Sequence, residues 1–95
     1  MKLSQEVTGF NGKPIAVDGD KLTLKTVLVR SIGSSLPGDQ ELPVEKVMSR
    51  YALAMKIQSS EDVKLTPEES VELRARIPKV WSLEVAGFTL KAMEA

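Results

Sequence analysis

The sequence predicts an α+β domain in which an N-terminal β-hairpin packs with three or four short α-helices, and three observations carry that reading. A turn pair, Asn11-Gly12, separates Val7 from the run Pro14-Ile15-Ala16-Val17. Apolar residues recur at helical spacing after Pro43 and again near the C-terminus. Between those stretches, Thr66-Pro67-Glu68-Glu69 has the composition of a helix start. Ninety-five residues suit one small domain, residues 1–95, with a small core.

The hairpin is expected over residues 5–17, because Asn-Gly readily takes the positive φ angles of a tight turn. Pro14 cannot donate to a ladder, so it belongs at the beginning of an edge strand. Asp18-Gly19-Asp20-Lys21 is turn chemistry again. Thr23 then suits the N-cap of a helix over about 24–32, with Leu24, Val27, Leu28 and Ile32 on one face. Gly33 ends that element, and the stretch to Pro43, containing Ser34-Ser35, Pro37-Gly38 and Asp39, reads as a polar loop.

Pro43 opens a helix over 43–57, since its fixed φ suits the first helical position. Val44, Val47, Met48, Tyr51 and Met55 form an almost unbroken stripe that reads as its core face. Val63-Lys64-Leu65 is a short extended piece. The next helix, 67–77, is expected to carry a capping box between Thr66 and Glu69 and to break near Ile77, because Pro78 disfavours helical geometry before it. A last helix over 82–93 places Leu83, Ala86, Leu90 and Met93 along one side.

Thirteen basic residues balance thirteen acidic ones, six of each sign in residues 1–48 and seven of each in 49–95. Neither half therefore carries the concentrated positive field that nucleic-acid binding uses, which disfavours a nucleic-acid partner. Folding could still gather Lys13, Lys21, Lys25 and Arg30 into a patch, and Arg74, Arg76 and Lys79 form a second basic group. The plainer explanation for that second group is that cations suit the C-terminal end of a helix. Cysteine and histidine are both absent, which removes disulfides, thiol chemistry, the commonest general base and structural zinc. No apolar stretch is long enough to span a membrane and no secretion signal opens the chain, so the expected location is the cytoplasm.

Catalytic constellations are not evident, and no catalytic, cofactor-binding or metal-binding residue and no small-molecule substrate is predicted. Asp18 and Asp20 resemble the opening of a calcium loop, but Leu22 and Leu24 stand where later ligands would be required. Glu68 and Glu69 are neighbours on a helix and point about 100° apart, which suits capping rather than acid/base work. Ser34 and Ser35, with no histidine in the chain, would need a lysine or another unusual base, a remote hydrolase possibility. The glycines match no phosphate-cradling pattern.

Surplus apolar surface is the more informative feature. On the helix after Pro43, Leu53 and Ile57 lie nearly opposite the Val44/Met48/Tyr51/Met55 stripe, and on the last helix Val85, Phe88 and Ala92 oppose Leu83/Ala86/Leu90/Met93. Either one of these helices is central and Leu53 and Ile57 are core, or Leu53, Ile57, Val85 and Phe88 meet another chain. Trp81 either anchors the junction of the last two helices or serves as a partner-binding hot spot. A protein partner or self-association is the expectation.

The segments Asn11-Gly12-Lys13-Pro14-Ile15, Leu22-Thr23-Leu24-Lys25-Thr26-Val27-Leu28, Arg50-Tyr51-Ala52-Leu53-Ala54-Met55-Lys56-Ile57 and Val63-Lys64-Leu65-Thr66-Pro67-Glu68-Glu69 follow one another in an order that resembles small proteins encoded in tailed-phage and prophage genomes. The resemblance spans about residues 11–77 and leaves out the segment from Trp81. It implies a non-enzymatic protein of the phage structural or assembly region, in the host cytoplasm or associated with the virion, and it brings no catalytic residues. A small nucleic-acid-binding regulator is the alternative expectation.

Overall fold

A computed structural model describes residues 1–36 and 41–94. Two short antiparallel strands, β1 (Ala16–Val17) and β2 (Asp20–Lys21), precede four helices, α1 (Leu24–Gly33), α2 (Val44–Gln58), α3 (Pro67–Val80) and α4 (Leu83–Glu94). This is the α+β architecture that the sequence predicts. The Pro37-Gly38 and Asp39 part of the expected loop lies outside the described residues.

The regular ladder forms one turn later than expected. Asp18 and Gly19 both take positive φ, 53° and 84°, and this tight turn pairs Ala16 with Lys21 and Val17 with Asp20. Asn11-Gly12 still reverses the chain, but across a single bridge, Thr8 to Pro14. That bridge is held by Gly9 N–H to Lys13 O and Ile15 N–H to Val7 O, so the N–H that proline lacks is never needed. Val7, Ile15 and Leu22 close a ring of backbone bonds: Val7 donates to Leu22, Leu22 to Ile15, and Ile15 to Val7, at 2.8–3.0 Å. Short pieces thereby satisfy each other without long strands.

α1 is the central helix, packed against α2, α3 and α4. Its N-terminus is fully accounted for. Leu24 and Lys25 donate to the carbonyls of Gln5 and Leu3, and Thr23, the N-cap, accepts from Thr26. Leu28 and Ile32 enter one apolar cluster with Leu3, Leu53, Ile57, Val63, Leu73, Ile77 and Ala86. Leu24 and Val27 enter a second with Val7, Leu22 and Val85. The two-sided apolar character of α4 follows from this, because the helix spans both clusters: Leu90 and Met93 pack on the first, Phe88 and Ala92 on the second.

The N-terminal segment is tied between α2 and α3. Leu3 N–H donates to Glu61, Val63 N–H donates to Met1, and the Met1 ammonium meets Asp62 at 2.8 Å. α3 begins with the expected capping box, Thr66 accepting from Glu69 N–H at 3.2 Å while the Glu69 carboxylate accepts from Thr66 N–H at 2.8 Å. The predicted break near Ile77 does not occur, and α3 continues to Val80. Ile77 and Arg76 are buried while Pro78 faces outward, so packing on the inner side holds the last turn helical. No described helix is long and apolar enough to cross a membrane.

Candidate protein interface

α2 packs with the opposite face inward from the one expected. Leu53 and Ile57 are 4% and 0% exposed and belong to the first cluster, whereas Val44, Val47, Met48, Tyr51 and Met55 are each 50–74% exposed. Leu53 and Ile57 are therefore core, as is Val85, which lies in the second cluster. None of these three side chains offers surface to a partner.

Apolar burial of Leu53 and Ile57 sets this orientation, and ion pairs to α3 accompany it. Arg50 Nε donates to Glu72 Oε1, and Lys46 reaches Glu72 Oε2 at 3.9 Å. Lys56 Nζ meets Glu69 Oε1 at 2.9 Å. These contacts lash the Leu53 side of α2 to α3 across a groove of about 690 Å³ that is lined in part by Lys46, Arg50, Leu53, Glu69 and Glu72. Burial of the Glu69 carboxyl acts to raise its pKa, but bonds from Thr66 N–H and the Lys56 ammonium outweigh it and hold the group below its ordinary value. The cations of α2 are thus turned toward α3 or to one flank.

The outward face is correspondingly bare of charge. At about 100° per residue, Val44, Val47, Met48, Tyr51, Ala52, Met55 and Gln58 occupy one arc of roughly 140°, and no Asp, Glu, Lys or Arg falls within it. The exposed apolar area is on the order of 500 Å², near the upper end of what a lone domain presents as its largest patch.

The other predicted contact residues are placed elsewhere. Trp81 is half-buried at the junction of both clusters, where its Nε1 donates to Val27 O at 3.2 Å and Ser31 Oγ at 3.1 Å, so it serves as an anchor within the fold. Phe88 is half-buried against the second cluster. Arg76 is 5% exposed and donates to Ser31 O at 2.8 Å and to Ser34 O, which removes it from any external basic patch. Lys21 pairs with Glu6 at 3.5 Å, and Lys25 donates to Gln58 O at 3.1 Å. Lys13 and Arg30 are exposed on different elements, while Arg74 and Lys79, five residues apart, sit about 140° apart around α3. Lys21 and Arg30 share the rim of one shallow pocket with Asp18 and Asp20, but with Arg76 buried and Arg74 and Lys79 diverging the seven cations do not form one patch. Ser34, whose hydroxyl donates to Arg30 O at 2.5 Å, closes the end of α1.

The local signal favours the uncharged stripe as the buried face, since Lys46 and Arg50 stand beside Leu53 and Ile57; the observed orientation packs Leu53 and Ile57 into the first cluster and matches those cations to carboxylates of α3. Compared with protein-family models, curated proteins and solved structures, the chain matches none.

Proposed function

We propose that this chain is a non-enzymatic protein-association module, acting as a small subunit or assembly factor, with the outward face of α2 as its docking surface. The observation that carries the proposal is that face itself: five large apolar side chains, each at least half exposed, with no charge among them. A surface helix of a globular domain normally turns its charged side outward. Here the chain spends three cations, Lys46, Arg50 and Lys56, on α3 and leaves the apolar stripe to solvent. Covering such a stripe removes apolar area from water at about 25 cal/mol per Å². The resemblance of the sequence to small tailed-phage and prophage proteins supports a role in particle assembly, in the host cytoplasm or on the virion.

The test is genetic complementation: on the proposed assembly reading, deleting the gene abolishes particle yield and the wild-type gene restores it. Tyr51→Glu and Met48→Glu are expected to abolish particle yield while the purified variants, at a concentration too low for association, keep the circular dichroism and urea midpoint of the wild type. Arg74→Glu and Lys79→Glu, which reverse exposed charges on α3, are expected to leave yield unchanged. The opposite pattern would overturn the proposal in favour of a nucleic-acid contact.

A further inference from the structure

We infer that the occupant of the outward α2 face is a second copy of this chain, packed antiparallel along α2; the inference deepens the association reading and rests on it. The stripe Val44, Met48, Tyr51, Met55 has spacings of four, three and four, which read the same in either direction. A two-fold axis passing between Ser49 and Arg50 therefore sets Val44 on the partner's Met55 and Met48 on the partner's Tyr51, with no apolar residue facing a gap. Spacings that alternate between four and three are those of a coiled-coil seam, and a self-complementary patch is what a two-fold interface requires.

The charges at the edge agree with this pairing. Glu45 and Lys56 lie on the same flank of the stripe, at about 100° and 120° from Val44, and at opposite ends of the helix. A two-fold axis perpendicular to antiparallel helices keeps each flank on its own side. It brings Glu45 level with the partner's Lys56 to within about two residues, roughly 3 Å of axial rise, and repeats the pair at the other end. Glu45 has no ion-pair partner among the described residues. Lys56, although bonded to Glu69, has a side chain 39% exposed and can be shared. A parallel pairing would instead turn Glu45 toward the opposite flank, where Val47 and Ala54 stand.

Complete covering of both faces would bury on the order of 1,000 Å², at the lower limit for a specific interface, so the expected dimer is a weak one. Small flanking residues, Ala52 and Ala54, allow the helix axes to approach closely.

Sedimentation equilibrium of the whole chain across the micromolar range tests the association. A monomer–dimer equilibrium is expected for the wild type, and Tyr51→Glu and Met48→Lys are each expected to weaken it by at least about tenfold without loss of helix content. Orientation is read independently of any charge substitution, because the chain has no cysteine of its own. An equal mixture of Val44→Cys and Met55→Cys chains is expected to form the mixed disulfide, while either variant alone forms little. A monomer at every concentration, a dimer insensitive to both face substitutions, or disulfides in each single variant alone would overturn the inference. The two readings fail separately. A strictly monomeric wild type whose Tyr51→Glu variant still loses particle yield removes the second copy and keeps a foreign protein partner. A dimer whose Tyr51→Glu variant is fully functional removes the functional reading and keeps the dimer.

Discussion

Arg76 on α3 donates its Nε–H to the carbonyl of Ser31 on α1 at 2.8 Å, and that contact is buried. The same guanidinium reaches Ser34 O, so one cation satisfies two carbonyls at the C-terminal end of the central helix. Trp81 completes the junction by donating to Ser31 Oγ, which itself donates to Val27 O at 2.7 Å. Arg76→Met leaves those carbonyls without their donor and is expected to cost about 3 kcal/mol, read from the urea midpoint at constant slope. Arg76→Lys is expected to be intermediate, since an ammonium lacks the fork that serves both acceptors. A cost below about 0.5 kcal/mol for Arg76→Met would show that the pairing is incidental.

The orientation of α2 makes a second prediction by direct comparison of two residues on one helix. Leu53→Ala empties a site in the main cluster and is expected to destabilise the fold by about 2–5 kcal/mol. Tyr51→Ala, at 63% exposure, is expected to change monomer stability by less than about 0.5 kcal/mol when measured at a concentration too low for association. Equal costs, or the reverse order, would mean that the stripe is the buried face.

What was legible in the sequence was what local atoms decide. The Thr66 capping box, the Thr23 cap and the Asp18-Gly19 turn each close within about four residues, so composition alone predicts them. The α2 facing was illegible because the uncharged stripe is locally the better core face, whereas the partners of the other face are distant: Leu53 and Ile57 meet the main cluster, Lys46 and Arg50 find Glu72, and Lys56 finds Glu69, more than ten residues away. Arg76 escapes a local reading for a related reason. A cation near the end of a helix suggests service to that helix, but this one caps α1, 45 residues earlier. The apolar excess itself was legible, and only its side was not.

Acid should loosen the start of α3. Glu69 titrates below its ordinary value of 4.5: burial opposes the charge, and the bonds from Thr66 and Lys56 more than offset that opposition. A carboxyl whose pKa is depressed by folding contributes stability that is fully present above its unfolded value and is lost as pH falls through the folded one. Glu69→Gln is therefore expected to cost about 1 kcal/mol at neutral pH, with the gap to wild type closing below about pH 4. Asp62, held low by its bond to the Met1 ammonium, titrates in the same direction, so Asp62→Asn should flatten a further part of the acid limb. Urea unfolding at a series of pH values reads both. A Glu69→Gln penalty that persists undiminished in acid would contradict the assignment.

Pro78 sits within the last turn of α3, where it cannot donate to the carbonyl of Arg74 and its ring crowds that carbonyl. The helix nevertheless runs on to Val80, because Ile77 is fully buried and Trp81 N–H closes the end by donating to Ile77 O at 3.0 Å. Local preference and tertiary packing are thus opposed at one residue, and packing prevails. Pro78→Ala removes the conflict: it restores the N–H and relieves the crowding, gains that reach about 3 kcal/mol in a helix interior. Against this stands up to about 1 kcal/mol from the freer unfolded chain. The expected net is a rise of about 1–2 kcal/mol, smaller than the full helix value because the site lies near the end. If packing of Ile77 and Trp81 is what holds the turn, the gain should shrink in a Trp81→Phe background, where the indole donor to Ser31 is lost and the terminal turn is less firmly anchored. A Pro78→Ala variant no more stable than wild type would mean that the turn after Ile77 is not helical in solution.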